Sequence, residues 1–370
     1  MNTPLYLSCN PPARLPNDGH RGLWYERFFN EYTEDFTKLA SNEESKKRWI
    51  DSVINLPAGD KNAIEQATDR LQSLCEKLGG KTQVFAADWH FVTGLGNPHP
   101  VENGFLWHPT LGVPYLPGSA IKGLVRALIE AWMEFESEDE RHATLYRWFG
   151  SEDKKPEKRK ELRLGGFIPP SRGQNCDTEA GTFIFFDALP IEPVTLKADI
   201  MTLHMGKWYE KGGEDQDPID PDVTPADWHN PLPVLFLIAD KPKFQFSIAP
   251  RFVADKGDVE KIMAALEDAL DWLGAGAKTS VGYGRMVNLR SMAQKWLDNI
   301  MDELRHDKDF KGQPEETLWK KALSEKYLLA STEIQKEVLP LVQEKWKELK
   351  INWNDPKGNS AQAAKNNFSK

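Results

Sequence analysis

The sequence predicts an α+β fold, and three observations lead to it. Four runs rich in β-branched and aromatic residues have the composition of strands, at residues 84–95, 181–191, 232–249 and 283–289. Two segments with apolar residues at helical spacing, 119–136 and 259–273, lie between them. In chain order these elements are β-α-β-β-α-β. That order predicts a ferredoxin-like (RRM-like) domain, in which two helices back a four-stranded antiparallel sheet.

Long insertions separate the predicted elements. The two largest occupy residues 137–180 and 192–231. Loops of this length in a compact domain are usually functional. Residues 1–83 precede the predicted domain and form an N-terminal helical extension, with helix-like segments at 25–39 and 63–78.

The predicted domain covers residues 84–290, and a polar helical region follows it at 291–353. Large apolar residues recur there at helical spacing, which predicts a small helical bundle formed around Trp296, Trp319, Leu323, Leu339 and Trp346. Residues 354–370 are rich in Asn, Ser, Lys and Ala, and we expect them to be a disordered tail.

Composition bounds the class of protein. The chain has 370 residues, of which 40% are hydrophobic, so it can bury a large core. Its three cysteines are scattered and include no Cys-x-x-Cys pair, which indicates reduced thiols and no structural zinc site. No apolar run approaches the length of a membrane span, and the N-terminus lacks a signal-peptide pattern. We therefore expect a cytoplasmic protein with no membrane partner, no cofactor and no metal.

The net charge of −9 is spread unevenly along the chain. The segments 134–140 and 210–227 contain twelve acidic residues and one lysine, so their net charge is more negative than that of the whole chain. Residues 154–163 hold six cations against two acids. Local basic patches decide contact with phosphate, so an acidic total does not exclude nucleic acid.

Two glycine-rich basic stretches lie about 150 residues apart. The first, residues 116–128, is LPGSAIKGLVRAL and leads from a turn into a helix. Lys122 then lies in the first turn, where the helix dipole disfavours a cation unless an anion is bound there too. Arg126 follows at i+4 on the same face. The candidate phosphate-binding residues of this stretch are Gly118, Ser119, Lys122 and Arg126.

The second stretch, residues 274–286, is GAGAKTSVGYGRM. Its glycines allow close approach of an anion to the backbone, and cationic side chains accompany them. The candidate binding residues here are Gly276, Lys278, Thr279, Ser280 and Arg285, to which His204 is added from the loop around 199–209.

Neither stretch matches a standard nucleotide-binding motif. Neither is a P-loop, because Ala277 rather than glycine precedes Lys278 and the run 280–286 has the composition of a strand. The dinucleotide fingerprint also fails, since no third glycine follows Gly274 and Gly276 at the required spacing. The remaining alternative is that both stretches are tight turns and a helix cap with solvated lysines.

The residues now indicate a family. The run GVPYLPGSAIKGLVR at 112–126 and the loop GAGAKTSVGYGR at 274–285 resemble the two signatures of the RAMP superfamily of CRISPR-associated RNA-binding proteins. The runs TGLGNPHPVENG at 93–104 and DIMTLHMGKWY at 199–209 resemble, more narrowly, the family of sixth subunits of type III-B (Cmr) effector complexes. The resemblance covers residues 84–289 and leaves the two ends of the chain unplaced.

This resemblance implies a non-catalytic structural subunit of a ribonucleoprotein that acts in antiviral defence against foreign RNA. Its implied partners are CRISPR RNA, target RNA and other RAMP subunits. The implied role is to cap the filament of backbone subunits and to hold the 3′ portion of the guide. Related backbone subunits cut target RNA with an aspartate after the first strand, and Glu102 stands at the matching place in this chain.

The alternative is a metal-independent or metal-dependent ribonuclease of the same superfamily that cuts guide precursor or target RNA. Such chemistry needs a general base and acid, for which the candidates are His90, His99, His108 and His204. Nine-residue intervals between the first three fit no metal-ligand spacing. The thirteen tryptophans could stack on unpaired bases, although most of the aromatic rings are more simply explained as core or partner-interface residues. Trp89 and Phe91 alternate in the first predicted strand, so one face of it is expected to be aromatic.

Overall fold

The computed structural model describes residues 14–35, 43–54, 56–150, 180–203, 208, 232–252, 257–308, 310 and 312–369. The chain divides into two compact units. The first comprises Met1–Gln83 and Ala87–Met286, and the second comprises Val84–Ala86 and Val287–Lys370. Helices and strands are both abundant, which confirms the α+β class.

Three helices form the described part of the N-terminal extension: α1 (Arg21–Arg27), α2 (Glu43–Ile54) and α3 (Lys61–Lys77). A side chain caps the start of α1, because His20 Nδ1 accepts a 2.9 Å hydrogen bond from the Leu23 amide. The helix ends at Arg27, since Phe28 leaves the helical region with φ −108°. Of the described residues 25–35 within the helix predicted over 25–39, only 25–27 are helical, so the prediction is wrong beyond Arg27.

The described residues that follow contain ten strands. They are β1 (Lys81–Ala87), β2 (His90–Phe91), β3 (Pro98–His99), β4 (Glu102–Asn103), β5 (Phe183–Phe185), β6 (Leu189–Pro190), β7 (Leu196–Leu203), β8 (Leu232–Asp240), β9 (Lys243–Pro250) and β10 (Met286–Asn288). A five-stranded sheet has the order β10-β1-β9-β5, and β6 also pairs with β9. A second sheet has the order β2-β8-β7, and β3 pairs with β4.

The single strand predicted over 84–95 is wrong. The chain leaves β1 at Ala87 and enters β2 at His90, which belongs to the other sheet. Backbone hydrogen bonds fix the break, because the Asp88 amide donates to Arg285 O and the Lys241 amide donates to Trp89 O. The strands β8 and β9 likewise adjoin in sequence but lie in different sheets. Apolar composition predicts these strands, but it does not show which sheet each one joins.

The described residues of the first unit contain three further α-helices: α4 (Gly118–Ala131), α5 (Glu138–Phe149) and α6 (Val259–Trp272). Helix α4 packs against α6, α4 also contacts β5, and α6 contacts β9. The buried side chains of α4 recur at helical spacing, namely Ile121, Val125, Leu128 and Ile129. Each buried aliphatic side chain of this kind contributes about 1.5–3 kcal/mol to folding.

The second unit is helical. Its described residues include α7 (Leu289–His306), α8, α9 (Thr332–Glu348) and α10 (Asn359–Phe368). Helix α8 consists of Glu315–Thr317, a π-helical turn at Leu318–Ala322, and Leu323–Tyr327. Of the five apolar residues predicted to form a bundle, Trp319, Leu323 and Trp346 belong to the buried core cluster of this unit, and Trp296 and Leu339 are partly buried and pack against it. In the described part of the chain, no helix is both long and apolar enough to cross a bilayer.

The tail expected to be disordered is instead helical over Asn359–Phe368. Ala361, Ala364 and Phe368 are buried there, and the Phe368 ring lies 5.9 Å from the ring of Trp346. Polar composition misled the prediction, because three apolar residues at spacings of three and four suffice to bury one face of a short helix.

Replacing Phe368 with alanine tests this contact. We expect Phe368→Ala to lower the free energy of unfolding of the second unit by about 3 kcal/mol, because it empties a buried aromatic site. Urea unfolding of the full chain measures the change. Asn366→Ala, on the exposed face of the same helix, is the control and should leave the unfolding midpoint unchanged. Equal behaviour of the two variants would contradict a packed C-terminal helix.

Candidate nucleic-acid interface

The start of α4 is organised around Gly118. Its amide donates a 2.7 Å hydrogen bond to Asp187 Oδ1, and a Cβ at this position would lie 2.1 Å from Phe185 O. Close packing therefore requires glycine here. The carboxylate at the helix N-terminus belongs to the chain itself, so the helix dipole no longer requires a phosphate at this amide. Ser119, the next residue, is exposed.

Three cations surround the first two turns of α4. Lys122 and Arg126 lie on the helix, and Arg251 follows the end of β9. Burial, and then the guanidinium groups of Arg126 and Arg251, lower the pKa of the Lys122 ammonium. Lys122 makes no hydrogen bond or ion pair with any part of the chain that the structure describes. We call these three residues the cation cluster.

The two arginines of the cation cluster are held by their own partners. Arg126 Nε donates to Glu130 Oε1 at 2.7 Å, and Arg251 Nε donates to the carbonyl of Gly181 at 2.9 Å. Sequence reasoning missed Arg251, because 125 positions separate it from Arg126 and nothing in its local sequence resembles a motif. The one sequence signal that could have identified Arg251 is its position directly after a long buried strand.

The second glycine-rich stretch forms a compact turn. Lys278 takes a left-handed conformation, with φ 59°, and is followed by a 3₁₀ turn, Thr279–Val281. The strand predicted over 280–286 is therefore wrong except at its last residue, where β10 begins. Repeated positive φ angles interrupt the extended conformation, at Lys278, Gly282 and Gly284.

Close approach explains two glycines of this turn. A Cβ on Gly276 would lie 2.2 Å from Val92 O, and one on Gly284 would lie 1.8 Å from Ala275 O. Both glycines therefore serve the fold. Gly282 has φ 93° and open space around its Cβ position.

The polar side chains of the turn differ in their surroundings. Lys278 Nζ lies 5.3 Å from the centroid of the Phe236 ring, within the range of a cation–π contact. Ser280 is exposed and Thr279 half-buried. Arg285 is already ion-paired: its guanidinium lies 2.7 Å from Asp271 Oδ1 and 3.1 Å from Asp88 Oδ2.

The hydrogen bond that the Arg285 guanidinium donates to the Asp271 carboxylate is the main reason that the pKa of Arg285 is raised. Arg285 is thus bound to the protein's own carboxylates, which weakens its assignment to a phosphate. Within the described residues, no hydrogen bond or ion pair joins this turn to the cation cluster. The two glycine-rich stretches therefore form two separate candidate sites.

An exposed tryptophan lies beside the turn. The Trp89 side chain is 44% exposed, and its ring lies 4.9 Å from that of Tyr283 and 4.6 Å from that of His90. Phe91, by contrast, is buried against Phe244. The predicted aromatic strand face is wrong, because Trp89 precedes β2 and only Phe91 lies in it.

Tyr283 fixes this aromatic group. Its hydroxyl donates to the carboxylate of Asp199. Burial, and then this carboxylate, raise the pKa of Tyr283 to about 12, so the phenol remains a neutral donor at physiological pH.

The described candidate histidines differ in their contacts. His90 Nδ1 is buried and lies 3.2 Å from Asp240 Oδ1 without a hydrogen bond between them. His99 Nε2 contacts Tyr25 O at 2.8 Å, and His108 Nδ1 accepts from the Leu111 amide at 3.2 Å. Burial lowers the pKa of both His99 and His108. His204 lies outside the described residues.

Glu102 is also engaged. It lies in β4 with φ 76°, and its carboxylate forms an ion pair with Lys46 of α2. Across the described chain, no group of three or more His, Cys, Asp and Glu side chains is placed to hold a metal ion.

Two solved structures show a likeness to this chain. One is a chain of the type III-B Cmr-beta complex bound to cognate target RNA, with 19% identity over 68% of this chain and 76% of that chain and a TM-score of 0.44. The other is the crystal structure of Cmr6 from Pyrococcus furiosus, with 29% identity over 56% of this chain and 97% of that chain and a TM-score of 0.31.

Sequence comparison gives two further findings. The family model of the RAMP superfamily matches residues 87–287, more than half of the chain. The CRISPR system Cmr subunit Cmr6 of Pyrococcus furiosus is 32% identical over 294 residues, which cover 70% of this chain and 82% of that protein. Both the extent of the model match and the identity over most of the relative lead to one conclusion: the chain belongs to the RAMP superfamily.

Proposed function

We propose that this chain is a non-catalytic RNA-binding subunit of a type III-B CRISPR effector complex. In this role it binds the 3′ portion of the CRISPR RNA and caps the filament of backbone subunits, in defence against foreign RNA. The observation that carries the proposal is the cation cluster, in which Lys122 and Arg126 of α4 meet Arg251 from the end of β9.

Three like charges side by side repel one another. Burial, and then this repulsion, lower the pKa of the Lys122 ammonium. Glu130 forms an ion pair with Arg126. Lys122 has no anionic partner in the described chain. A phosphate between the three cations would offset the repulsion and form charge-assisted hydrogen bonds with them.

A glycine next to Lys122 supports close approach of a ligand. Gly123 lies inside α4, is exposed, and has no atom within 4 Å of its Cβ position. Glycine in a helix interior costs about 1 kcal/mol relative to alanine. Packing within the described chain does not explain this cost, whereas an RNA backbone lying on the helix surface beside Lys122 would.

The glycine-rich turn is proposed as a second contact, through Lys278, Thr279 and Ser280. Its amides and hydroxyls supply donors, and the exposed ring of Trp89 beside it offers a surface for stacking an unpaired base. His204 and Arg285 also belong to the proposed interface. Arg285 forms ion pairs with Asp88 and Asp271.

We also propose that residues 84–290 form the RNA-binding RAMP domain and have the ferredoxin-like arrangement. Counted along the βαββαβ unit, the four strands are β1, β5, β9 and β10, so the sheet order β10-β1-β9-β5 is 4-1-3-2. The two helices of the unit, α4 and α6, pack together and contact strands of this sheet. Both observations support the assignment.

Membership in the complex rests on the curated relative, which is by name a subunit of the CRISPR Cmr system. The partners proposed from it are CRISPR RNA, target RNA and other RAMP subunits, in the cytoplasm. The non-catalytic role is supported by the local hydrogen bonds of His99 and His108 and by the ion pair of Glu102 with Lys46. The alternative, a ribonuclease, is an outcome of the last test below.

Removing two charges from the cation cluster tests its role in RNA binding. Lys122→Gln with Arg251→Gln should weaken binding of single-stranded RNA of any sequence, because phosphate contacts carry no base information. The slope of log K against log salt should become shallower by about 1.4, at about 0.7 for each lost contact. Fluorescence anisotropy at several salt concentrations measures both effects.

The control pair is Lys61→Gln with Lys77→Gln, two exposed lysines of α3. It removes the same net charge and should leave the slope unchanged. If both pairs changed the affinity equally, only the overall charge would matter and the cation cluster would not be the site.

The second prediction separates stability from binding at one position. Gly123→Ala should stabilise the first unit by about 1 kcal/mol, because alanine is the better helix former. The same change should weaken RNA binding several-fold, because a methyl group would stand where the backbone approaches. Thermal unfolding and RNA titration of one preparation measure the two effects. Unchanged RNA affinity would contradict close approach of the RNA backbone to Gly123.

The third prediction concerns cleavage. Glu102→Ala, His99→Ala and His108→Ala should each reduce target-RNA cleavage by the reconstituted complex less than tenfold, and in step with any loss of assembly. A true general acid or base contributes about 10²–10⁴-fold to the rate. A loss of that size at one position, with assembly and guide binding intact, would make the ribonuclease alternative the better account.

A further inference from the structure

The ends of α4 and α6 carry an unusual apolar surface. Trp132 and Trp272 are 62% and 68% exposed, the highest values among the described tryptophans, and their rings lie edge to face with centroids 6.4 Å apart. They border a groove of about 280 Å³ that Leu128, Met133, Ala265 and Asp268 also line. Large exposed aromatic side chains grouped in this way mark interaction surfaces.

Negative charge surrounds the groove. Asp268 lies within it and has no ion-pair partner among the described residues. Burial, and then the carboxylates of Glu267 and Asp271, raise the pKa of Asp268. Directly after Met133 comes the exposed segment 134–140, in which five of seven residues are acidic.

The helix dipoles add to this field. Helix α4 ends at Ala131 and α6 at Trp272, and neither has a basic residue in its last turn. The C-terminal end of a helix carries a partial negative charge that normally attracts a cation. Lys261 lines the groove as well, but its ammonium lies 3.6 Å from the carboxylate of Asp258.

We propose that this groove is a docking site for a protein segment in which an arginine or lysine stands beside a large apolar side chain. The apolar side chain would occupy the space between Leu128, Trp132 and Trp272. The cation would lie over an indole face and reach Asp268, a combination that arginine suits best. Charge complementarity selects this occupant and disfavours RNA, because phosphates would meet the same carboxylates.

The docking site is distinct from the cation cluster. Trp132, the C-cap of α4, lies ten positions after Lys122, which is about 15 Å at 1.5 Å per residue. One end of the helix is cationic and the other is apolar and acidic, so RNA and protein can bind at the same time. The inference does not depend on the proposed RNA-binding role.

The test uses the full chain and three synthetic 12-residue peptides, measured by fluorescence anisotropy. One alternates Leu and Arg, the second replaces Arg by Glu, and the third replaces Leu by Ser. We expect only the Leu/Arg peptide to bind well. Trp132→Ala with Trp272→Ala should weaken it at least tenfold, and Asp268→Asn about threefold to tenfold, while RNA affinity stays unchanged.

Leu23→Ala with Leu74→Ala is the control, since both side chains are exposed elsewhere in the first unit. This pair should leave peptide binding unchanged. Equal binding of the Ser/Arg or Leu/Glu peptide, or displacement of the peptide by RNA, would overturn the proposal. So would sedimentation showing that the wild-type chain self-associates and that the tryptophan variants abolish this, because the occupant would then be a second copy.

Discussion

Burial of the strand β9 is the constraint on which the first unit depends. Seven of its eight residues are buried, and it pairs with β1, β5 and β6. A strand covered on both faces tolerates neither a register slip nor a polar face, because every side chain meets packed neighbours. Its end is therefore fixed in space, and that places Arg251 beside the first turns of α4.

Helix α4 then links two surfaces of opposite character. Gly118 holds its start against Phe185 and Asp187, so the cations on its first turns are presented by a rigid element. Its end carries Trp132, next to the acidic segment and the end of α6. A helix held in this way can separate a phosphate-binding surface from a protein-binding one, and screening over about 8 Å in physiological salt keeps their fields apart.

The errors of the sequence predictions have a common origin. Apolar and aromatic composition located the strands at 84–95 and 280–286, but backbone hydrogen bonds at Asp88 and positive φ angles around Gly282 broke them. The C-terminal tail is polar on average, yet Phe368 completes a buried cluster. In each case a prediction from average composition failed because a few specific contacts decided the conformation of the segment.

The sequence by itself determined the α+β class, the helices α4 and α6 and the family, because these follow from local periodicity and contiguous motifs. Only the tertiary structure decided which cations meet. Lys122 and Arg126 share a helix and were found by spacing, whereas Arg251 joins them across the sheet. The same holds for Asp187 at Gly118, for Asp88 and Asp271 at Arg285, and for Trp132 beside Trp272. Long-range partners depend on how strands are ordered in a sheet, and local sequence carries no record of that order.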